Sequence, residues 1–222
     1  MPVFKKVNKD FFKTWSPEMA YFLGFFAADG YVTVNKRGGH FFSFQIKERD
    51  ILVKFKKLLG SEHKITKRKH LQGTTYRWQV GNKEMCQDLT VLGFGQQKSF
   101  RLIVPSMPSK DLPHFIRGYF DGDGNIWLGY KHKDRIKSLM VLQTSFTSCS
   151  GSFLESIQKY LLGYGLGQGS LYKLKNKNAG RLSYSTNDSL KLYKMMYSCY
   201  PIGDLYLPNK RKVFEKYIKM RA

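Results

Sequence analysis

The sequence predicts an α+β fold of two pseudo-symmetric αββαββα modules, each a four-stranded antiparallel sheet with helices on one face, joined through two packed motif helices. Three observations carry this reading. First, the chain repeats itself in order: GFFAADGYV (24–32) is answered by GYFDGDGNI (118–126), FKKLLGSEHKITKRK (55–69) by YLLGYGLGQGSLYKLK (160–175), and YRWQVGNKEMCQDL (76–89) by RLSYSTNDSLKLYKMM (181–196). The spacing between partners grows along the chain, as expected for two copies of one module that have drifted apart. Second, each copy alternates strand-like period-two stretches with segments of helical period. Third, both leading segments place small residues four apart, Gly24 with Ala28 and Gly118 with Gly122, so two helices can approach at backbone distance.

The elements follow in order. Ser16-Pro17-Glu18 is a helix start, with Ser at the N-cap, Pro at the first helical position and an acid in the first turn. That helix is expected to run to Asp29 and stop at Gly30 as a left-handed C-cap. Tyr31 to Ile46, broken by Lys36-Arg37-Gly38-Gly39, reads as a hairpin; Ile51 to Leu59 as a short amphipathic helix closed by Gly60; Lys64 to Val80 as a second hairpin turning at Gln72-Gly73; and Lys83 to Leu92 as a helix. The second copy gives a helix at Pro113–Asp123, a hairpin across Ile126–Thr147 turning near Lys133-Asp134, a helix at Phe153–Leu162 and a hairpin across Leu171–Ser185. Helices at Ser189–Tyr197 and Lys210–Met220 complete it, and Arg101 to Leu112, with Pro105 and Pro108, is the connector. The expected division is residues 1–105 for the first module, including the start of the connector, and 106–222 for the second. Phe55, Leu58, Leu59, Met195 and Met196 stand at core spacing, and Trp15, Trp78 and Trp127 are expected in or at the edge of the core.

Charge narrows the partner. Among 222 residues, 38 Lys and Arg stand against 16 Asp and Glu, a net charge of +22, while 42% hydrophobic and 15% aromatic residues exclude a disordered polycation. Each side of residue 105 holds 19 basic and 8 acidic residues, so the charge belongs to both modules alike and not to a tail. A basic surface spread over a folded body suits a nucleic-acid backbone, and an anionic membrane less well. Met19 to Ala28, the most apolar stretch, falls short of the ~18–20 residues that span a bilayer. The N-terminal MPVFKKVNKDFFK lacks the apolar run of a secretory signal, which points to an intracellular setting, cytoplasm or organellar matrix. Cys86, Cys149 and Cys199 fit neither a disulfide framework nor a zinc site.

Period-two alternation places Lys64, Thr66, Arg68 and His70 on one face of a strand, with Arg77 and Gln79 on the returning one; in the second copy it sets Lys173, Lys175 and Lys177 against Tyr172, Leu174 and Asn176. Lys36, Arg37, Gln45, Lys47, Lys131, Lys133 and Gln143 add cations and amides from the first hairpins. Such residues contact phosphates and read base edges in a duplex groove.

The two leading helices hold the chemistry. Each ends in an Asp followed by Gly, and close packing brings Asp29 and Asp123 together at adjacent C-terminal ends. Two carboxylates beside helix-end carbonyls repel unless a cation lies between them, and hard oxygen ligands of this kind suit Mg²⁺. A two-carboxylate metal site on a basic surface points to phosphodiester hydrolysis. Phe22–Gly30 and Ile116–Gly124 resemble the LAGLIDADG signature, and the chain from about Ser16 to about Phe214 resembles the LAGLIDADG homing endonuclease family in its single-chain, two-motif form.

The resemblance implies a monomeric, site-specific endonuclease acting on double-stranded DNA. It implies a long, imperfectly symmetric target cut across the minor groove to leave 3′ overhangs. It makes Asp29 and Asp123 metal-binding acids, the main-chain carbonyls of Ala28 and Gly122 accessory ligands, and Mg²⁺ the cofactor, with Mn²⁺ or Ca²⁺ able to occupy the site. It places Lys98 and Lys210 near the scissile phosphates. Glu48 falls where relatives carry Gln, with Ser150 as its rough counterpart, and the family's earlier, structural acid falls on Ala27 and Asp121. Gly24 and Gly118 become the helix-packing positions. A maturase acting on its own intron RNA, or a regulator that binds DNA without cutting it, is the alternative on the same scaffold; a ribosome-associated basic protein leaves the paired acids unexplained.

Overall fold

The computed structural model describes residues 5–71, 73–131, 139–175, 177–198 and 205–221. A 3₁₀ turn at Lys9–Phe12 precedes α1 (Pro17–Asp29), β1 (Gly30–Val34), β2 (His40–Ile46), α2 (Arg49–Leu58), β3 (Ile65–His70), β4 (Gly73–Gly81) and α3 (Lys83–Val91). After a second 3₁₀ turn at Lys98–Phe100, the order repeats as α4 (Leu112–Asp123), β5 (Gly124–Lys131), β6 (Leu139–Ser148), α5 (Gly151–Gly163), β7 (Ser170–Lys173), β8 (Gly180–Tyr184) and α6 (Thr186–Tyr197), ending with α7 (Pro208–Arg221). The α+β class and the two four-stranded antiparallel sheets are as the sequence predicts, with strand orders β1-β2-β4-β3 and β5-β6-β8-β7. Both 3₁₀ turns are additions to that reading: each is too short to show a period.

Helix α1 begins as its sequence requires, with the Met19 N–H donating to Ser16 Oγ at 3.1 Å and Pro17 in the first turn. Its residues from Met19 to Ala27 are all buried, so this helix is apolar on every side because it is the centre of the molecule. Its partner is α4, equally buried from Leu112 to Asp121. The packing depends on two glycines. A Cβ on Gly24 would run into the Phe115 carbonyl oxygen, and one on Gly118 into the Tyr21 carbonyl oxygen, each with a further backbone nitrogen under 3.0 Å away. Gly24 and Gly118 therefore do what small residues at that spacing are expected to do: they let two backbones touch.

Around this axis the sheets bury one face each. In the first sheet Val32, Phe42, Phe44, Trp78 and Val80 point into the core, where Phe22 packs on Phe55 at 4.8 Å and Phe26 on Phe44 at 5.3 Å. In the second, Tyr119 meets Phe153 at 4.6 Å and Phe146 lies under Phe120 at 5.5 Å. Phe55, Leu59, Met195, Met196 and Trp78 are buried, and Leu58 and Trp15 pack against the core as partly buried residues.

The opposite faces are polar, and the register identifies their members. Gln45 pairs with Arg77 and Arg77 with Thr66; Ser43 pairs with Gln79, and Arg68 with Thr75. Arg77, Gln79, Gln45, Thr66, Arg68 and His70 thus share one face of the first sheet. In the second sheet Trp127 pairs with Gln143, and Thr147 with Arg181, which faces Tyr172.

Three expectations are corrected here. Lys173 pairs with Gly180 and shares the face of Leu171 and Leu182, which is the helix side; β7 ends at Lys173, so Lys175 and Lys177 lie in the turn beyond it and no lysine stripe forms. The period-two pattern was real, but Tyr172 is its outward member. Trp127 is 41% exposed on the polar face beside Gln143, where strand alternation puts it, and is not a core residue. Gly30 is no left-handed cap: its φ is −82° and ψ 157°, extended backbone that begins β1. Gly60, by contrast, does take a positive φ of 53° after α2. Lys133, with Asp134, Gln72, Asn176 and Cys199, lies outside the described residues.

Candidate metal and nucleic-acid site

Both motif helices pass directly into the first strand of their sheet, Asp29 to Gly30 and Asp123 to Gly124. A side chain at Gly30 would strike the Phe26 ring, and one at Gly124 would strike Phe120. Glycine is needed after each acid because an aromatic ring closes beneath it, not because the chain turns left-handed. This geometry sets each carboxylate at the junction of the helix pair with a sheet.

The two helix ends interdigitate. A Cβ at Gly122 would meet Ala28 Cβ and lie 3.1 Å from Asp29 Oδ2, so the Asp29 carboxylate sits over the opposite helix at the residue before Asp123. Burial, and next the Asp123 charge, push the Asp29 carboxyl up to about 6. Asp123 is the more open of the two, and loss of water around it also raises its carboxyl. Among the described residues no hydrogen bond or ion pair engages either carboxylate. Two bare hard-oxygen donors at adjacent helix ends fit a divalent cation. No group of three or more His, Cys, Asp or Glu able to hold a metal occurs among the described residues, so any further ligands there come from carbonyls, solvent or substrate. A cavity of about 220 Å³ opens beside Asp123, lined among others by Ala28, Tyr119, Thr147 and Cys149.

Two lysines close the site with the same approximate symmetry. Lys98, on the second 3₁₀ turn, donates from Nζ to the Ala27 carbonyl at 2.7 Å and lies 5.9 Å from the centre of the Phe26 ring. Lys210, on α7, donates to the carbonyls of Phe120 and Asp121 at 2.7 Å and of Gly122 at 3.0 Å, with Phe120 beneath it at 5.6 Å. Each ammonium therefore neutralises the negative end of a motif helix. Burial lowers Lys98 to about 8 and also lowers Lys210, against the opposing pull of the acids. The Gly122 carbonyl, expected as an accessory ligand, is here an acceptor for Lys210. Glu48 stands at the N-cap of α2 with an exposed side chain, and its charge adds to the upward shift of Asp29. Ser150 holds the equivalent N-cap of α5, where its hydroxyl donates to the Leu102 carbonyl at 2.8 Å and accepts from the Phe153 N–H at 3.3 Å.

Of the expected nucleic-acid contacts, Lys36 and Arg37 occupy the exposed turn between β1 and β2, and Lys47 follows β2 on the polar-face parity. Lys64 precedes β3 and continues the line of Thr66, Arg68 and His70. Lys131 donates to Gln143 Oε1 at 3.1 Å and lies 5.9 Å from the Trp127 ring centre, making one cluster of three polar-face residues. Arg181, Tyr172 and Trp127 share the polar face of the second sheet although the sequence reading did not place them there. Alternation read from β8 outward, where Arg181 and Ser183 flank buried Leu182, is the signal that would have found the first.

A domain-family profile described as LAGLIDADG-like domain matches residues 16–101 and 113–196. A curated relative, the replication factor C small subunit of Methanocaldococcus jannaschii, is 28% identical over 172 residues; the match spans 77% of this chain but about 8% of the length of that protein. Among solved structures, a mutant of I-SmaMI superposes with a TM-score of 0.65 at 16% identity, covering 91% of this chain and 90% of that one. I-SmaMI bound to an uncleaved DNA target in the presence of calcium ions gives 0.60 at 14% identity, covering 93% and 90%. The LAGLIDADG meganuclease I-AabMI bound to uncleaved DNA gives 0.59 at 16% identity, covering 93% and 90%. With one match to the family's profile in each half and with the acids of both motif helices in place, the chain belongs to the LAGLIDADG-like domain family.

Proposed function

We propose that this protein is a site-specific endonuclease that cleaves both strands of a long, pseudo-symmetric DNA target by divalent-metal-dependent hydrolysis, leaving 3′ overhangs. The observation that carries the reading is the unpartnered pair Asp29 and Asp123 at adjacent helix ends, where each helix joins a sheet with a polar outer face. Mg²⁺ is the expected ion, held by Asp29 and Asp123; when bound it supplies water activation and charge stabilisation at the phosphate. The solved I-SmaMI complex with calcium and uncleaved DNA supports a divalent ion and a duplex partner.

The chain's own groups do the rest. The polar faces bind and orient the duplex through Arg77, Gln79, Gln45, Thr66, Arg68 and His70 on one module and through Lys131, Gln143 and Arg181 on the other. Lys98 and Lys210 bring positive charge to the two helix ends, where the phosphoryl oxygens would gather charge. Glu48 borders the site from the start of α2. A single chain carrying both halves reads the two half-sites as a monomer. Among the described residues no helix is long and apolar enough to cross a membrane.

A regulator or maturase that only binds nucleic acid has no use for two like charges left bare in a basic protein, and this disfavours that reading. Incubating the protein with Mg²⁺ and a supercoiled plasmid library of candidate targets tests it. Linear product from the native protein, lost in Asp29→Asn and in Asp123→Asn, is the expected result; undiminished cutting by both variants would refute the metal-site assignment.

A further inference from the structure

We propose that Asp121 is a positioning residue for Lys210, and that it serves one of the two cleavage centres and not the other; its consequence for cutting rests on the nuclease reading above. Asp121 is 2% exposed, inside the helix pair, two residues before the metal-facing acid. Its Oδ2 accepts the Leu207 N–H at 2.8 Å and the Tyr21 hydroxyl at 2.8 Å, and its Oδ1 accepts the Tyr197 hydroxyl at 3.1 Å. Leu207 is the residue immediately before α7, and Lys210 stands three residues further on, in its first turn. One helical turn is rigid on this scale, so fixing the Leu207 N–H fixes where the Lys210 stem departs. The ammonium then returns to the carbonyls of Phe120, Asp121 and Gly122, closing a loop that begins and ends on Asp121.

The same helix grips the chain on the approach to α7. Arg117 donates from Nη1 to the Met196 carbonyl at 2.9 Å and from Nε to the Leu205 carbonyl at 3.1 Å, with its guanidinium 5.1 Å from the Tyr21 ring centre. Between them, Arg117 and Asp121 tie the end of α6 and the start of α7 to α4. In the first module the matching positions of α1 are Leu23 and Ala27, which can make neither tie. Lys98 is instead held by a single carbonyl bond from a 3₁₀ turn. The two lysines reach equivalent places by different supports, and only the second depends on a buried carboxylate.

The test uses the full chain and two readouts. Acetylation of lysines by N-hydroxysuccinimidyl acetate, followed by peptide mass spectrometry, reads Lys210 against Lys98 as an internal reference. Asp121→Ala is expected to raise Lys210 labelling about tenfold relative to Lys98, because a buried tie is lost; Asp121→Asn, which keeps an acceptor for the Leu207 N–H, stays near the native ratio. Tyr21→Phe, which removes a bond to the same carboxylate without touching α7, also stays near it. Should Asp121→Ala fail to fold, Leu207→Pro deletes the same N–H and is read in the same way. An unchanged labelling ratio in Asp121→Ala, or equal release in Tyr21→Phe, overturns the positioning role whether or not the protein cuts DNA. On a strand-labelled target, Asp121→Ala is expected to slow one strand at least tenfold more than the other and accumulate nicked product, with Asp121→Asn restoring the balance. Equal slowing of both strands overturns the one-centre assignment, and a native protein that cuts neither strand overturns the nuclease reading while leaving the labelling result to stand.

Discussion

Lys98 donates to the Ala27 carbonyl at 2.7 Å from a buried ammonium, and so caps the negative end of the first motif helix beside an acid of the same helix. Lys210 does the same for the second helix with three carbonyls. Each lysine is thus held where its charge offsets the repulsion between Asp29 and Asp123. Replacing either by Met keeps most of the volume and removes the charge. Single-turnover cleavage is expected to fall on the order of 10²–10³-fold for Lys98→Met or Lys210→Met, with target affinity within a few-fold of native. A loss confined to affinity would make these lysines phosphate anchors and nothing more.

The same groups set the pH range. Asp29 is raised to about 6 by burial and by Asp123, and must be ionised to hold a cation. Lys98 is lowered to about 8 by burial, and must be protonated to supply charge. Cleavage is therefore expected to rise as pH climbs through about 6 and to fall above about 8. Higher Mg²⁺ competes with the proton and moves the acidic limb downward while leaving the alkaline limb in place. Rates measured across this range at two Mg²⁺ concentrations check both limbs. An acidic limb indifferent to Mg²⁺ would detach it from the metal site.

Asp29 also weakens the fold. Its carboxyl stands at about 6 when folded against 3.8 as a free side chain, so between those values the folded state holds a proton that the unfolded chain has released. Stability therefore falls as pH rises through that window and carries the full penalty above it. The shift amounts to on the order of 3 kcal/mol at neutral pH. Asp29→Asn removes the charge at constant shape and is expected to raise Tm at pH 7 without metal, an advantage that disappears below about pH 4. Adding Mg²⁺ should raise the native Tm and leave the variant unmoved. Equal melting of the two proteins at pH 7 in a chelator would contradict this.

Most of this architecture was legible because it rests on local rules. Ser16-Pro17 starts α1 by capping, paired small residues mark the helix contact, and the repeat itself locates Asp123 once Asp29 is found. What was not legible depends on contacts between distant segments. Gly30 looks like a left-handed stop, yet its role comes from the Phe26 ring beneath it. Lys173 shares the period of a groove-facing stripe, but β7 is four residues long and its register with Gly180 turns that lysine to the helix side. Trp127 reads as core by composition, whereas alternation along β5 presents it beside Lys131 and Gln143. The partners of Asp121, at Tyr21, Tyr197 and Leu207, lie 76 to 100 residues away in sequence and no periodicity joins them.

The two central-strand arginines separate base reading from backbone binding. Arg77 on β4 and Arg181 on β8 stand at matching places in the two sheets, and the Nε of each is buried with no hydrogen-bond partner among the described residues. Each is flanked across the strands by polar-face neighbours, Gln45 and Thr66 for Arg77, Thr147 and Tyr172 for Arg181. The planar fork of an arginine on this face suits a guanine edge. Lys36, on the exposed β1–β2 turn, is free to follow phosphates. Arg77→Ala and Arg181→Ala are each expected to cost about 1–3 kcal/mol in target binding and to relax base preference within one half-site, a different half for each variant. Lys36→Ala should weaken all sequences alike and reduce the salt dependence by about one ion. Dissociation constants on duplexes randomised in one half-site at a time, taken at two salt concentrations, distinguish the two behaviours. If either arginine variant lost affinity equally on every sequence, that arginine would be a backbone contact and half-site recognition would have to come from elsewhere on its sheet.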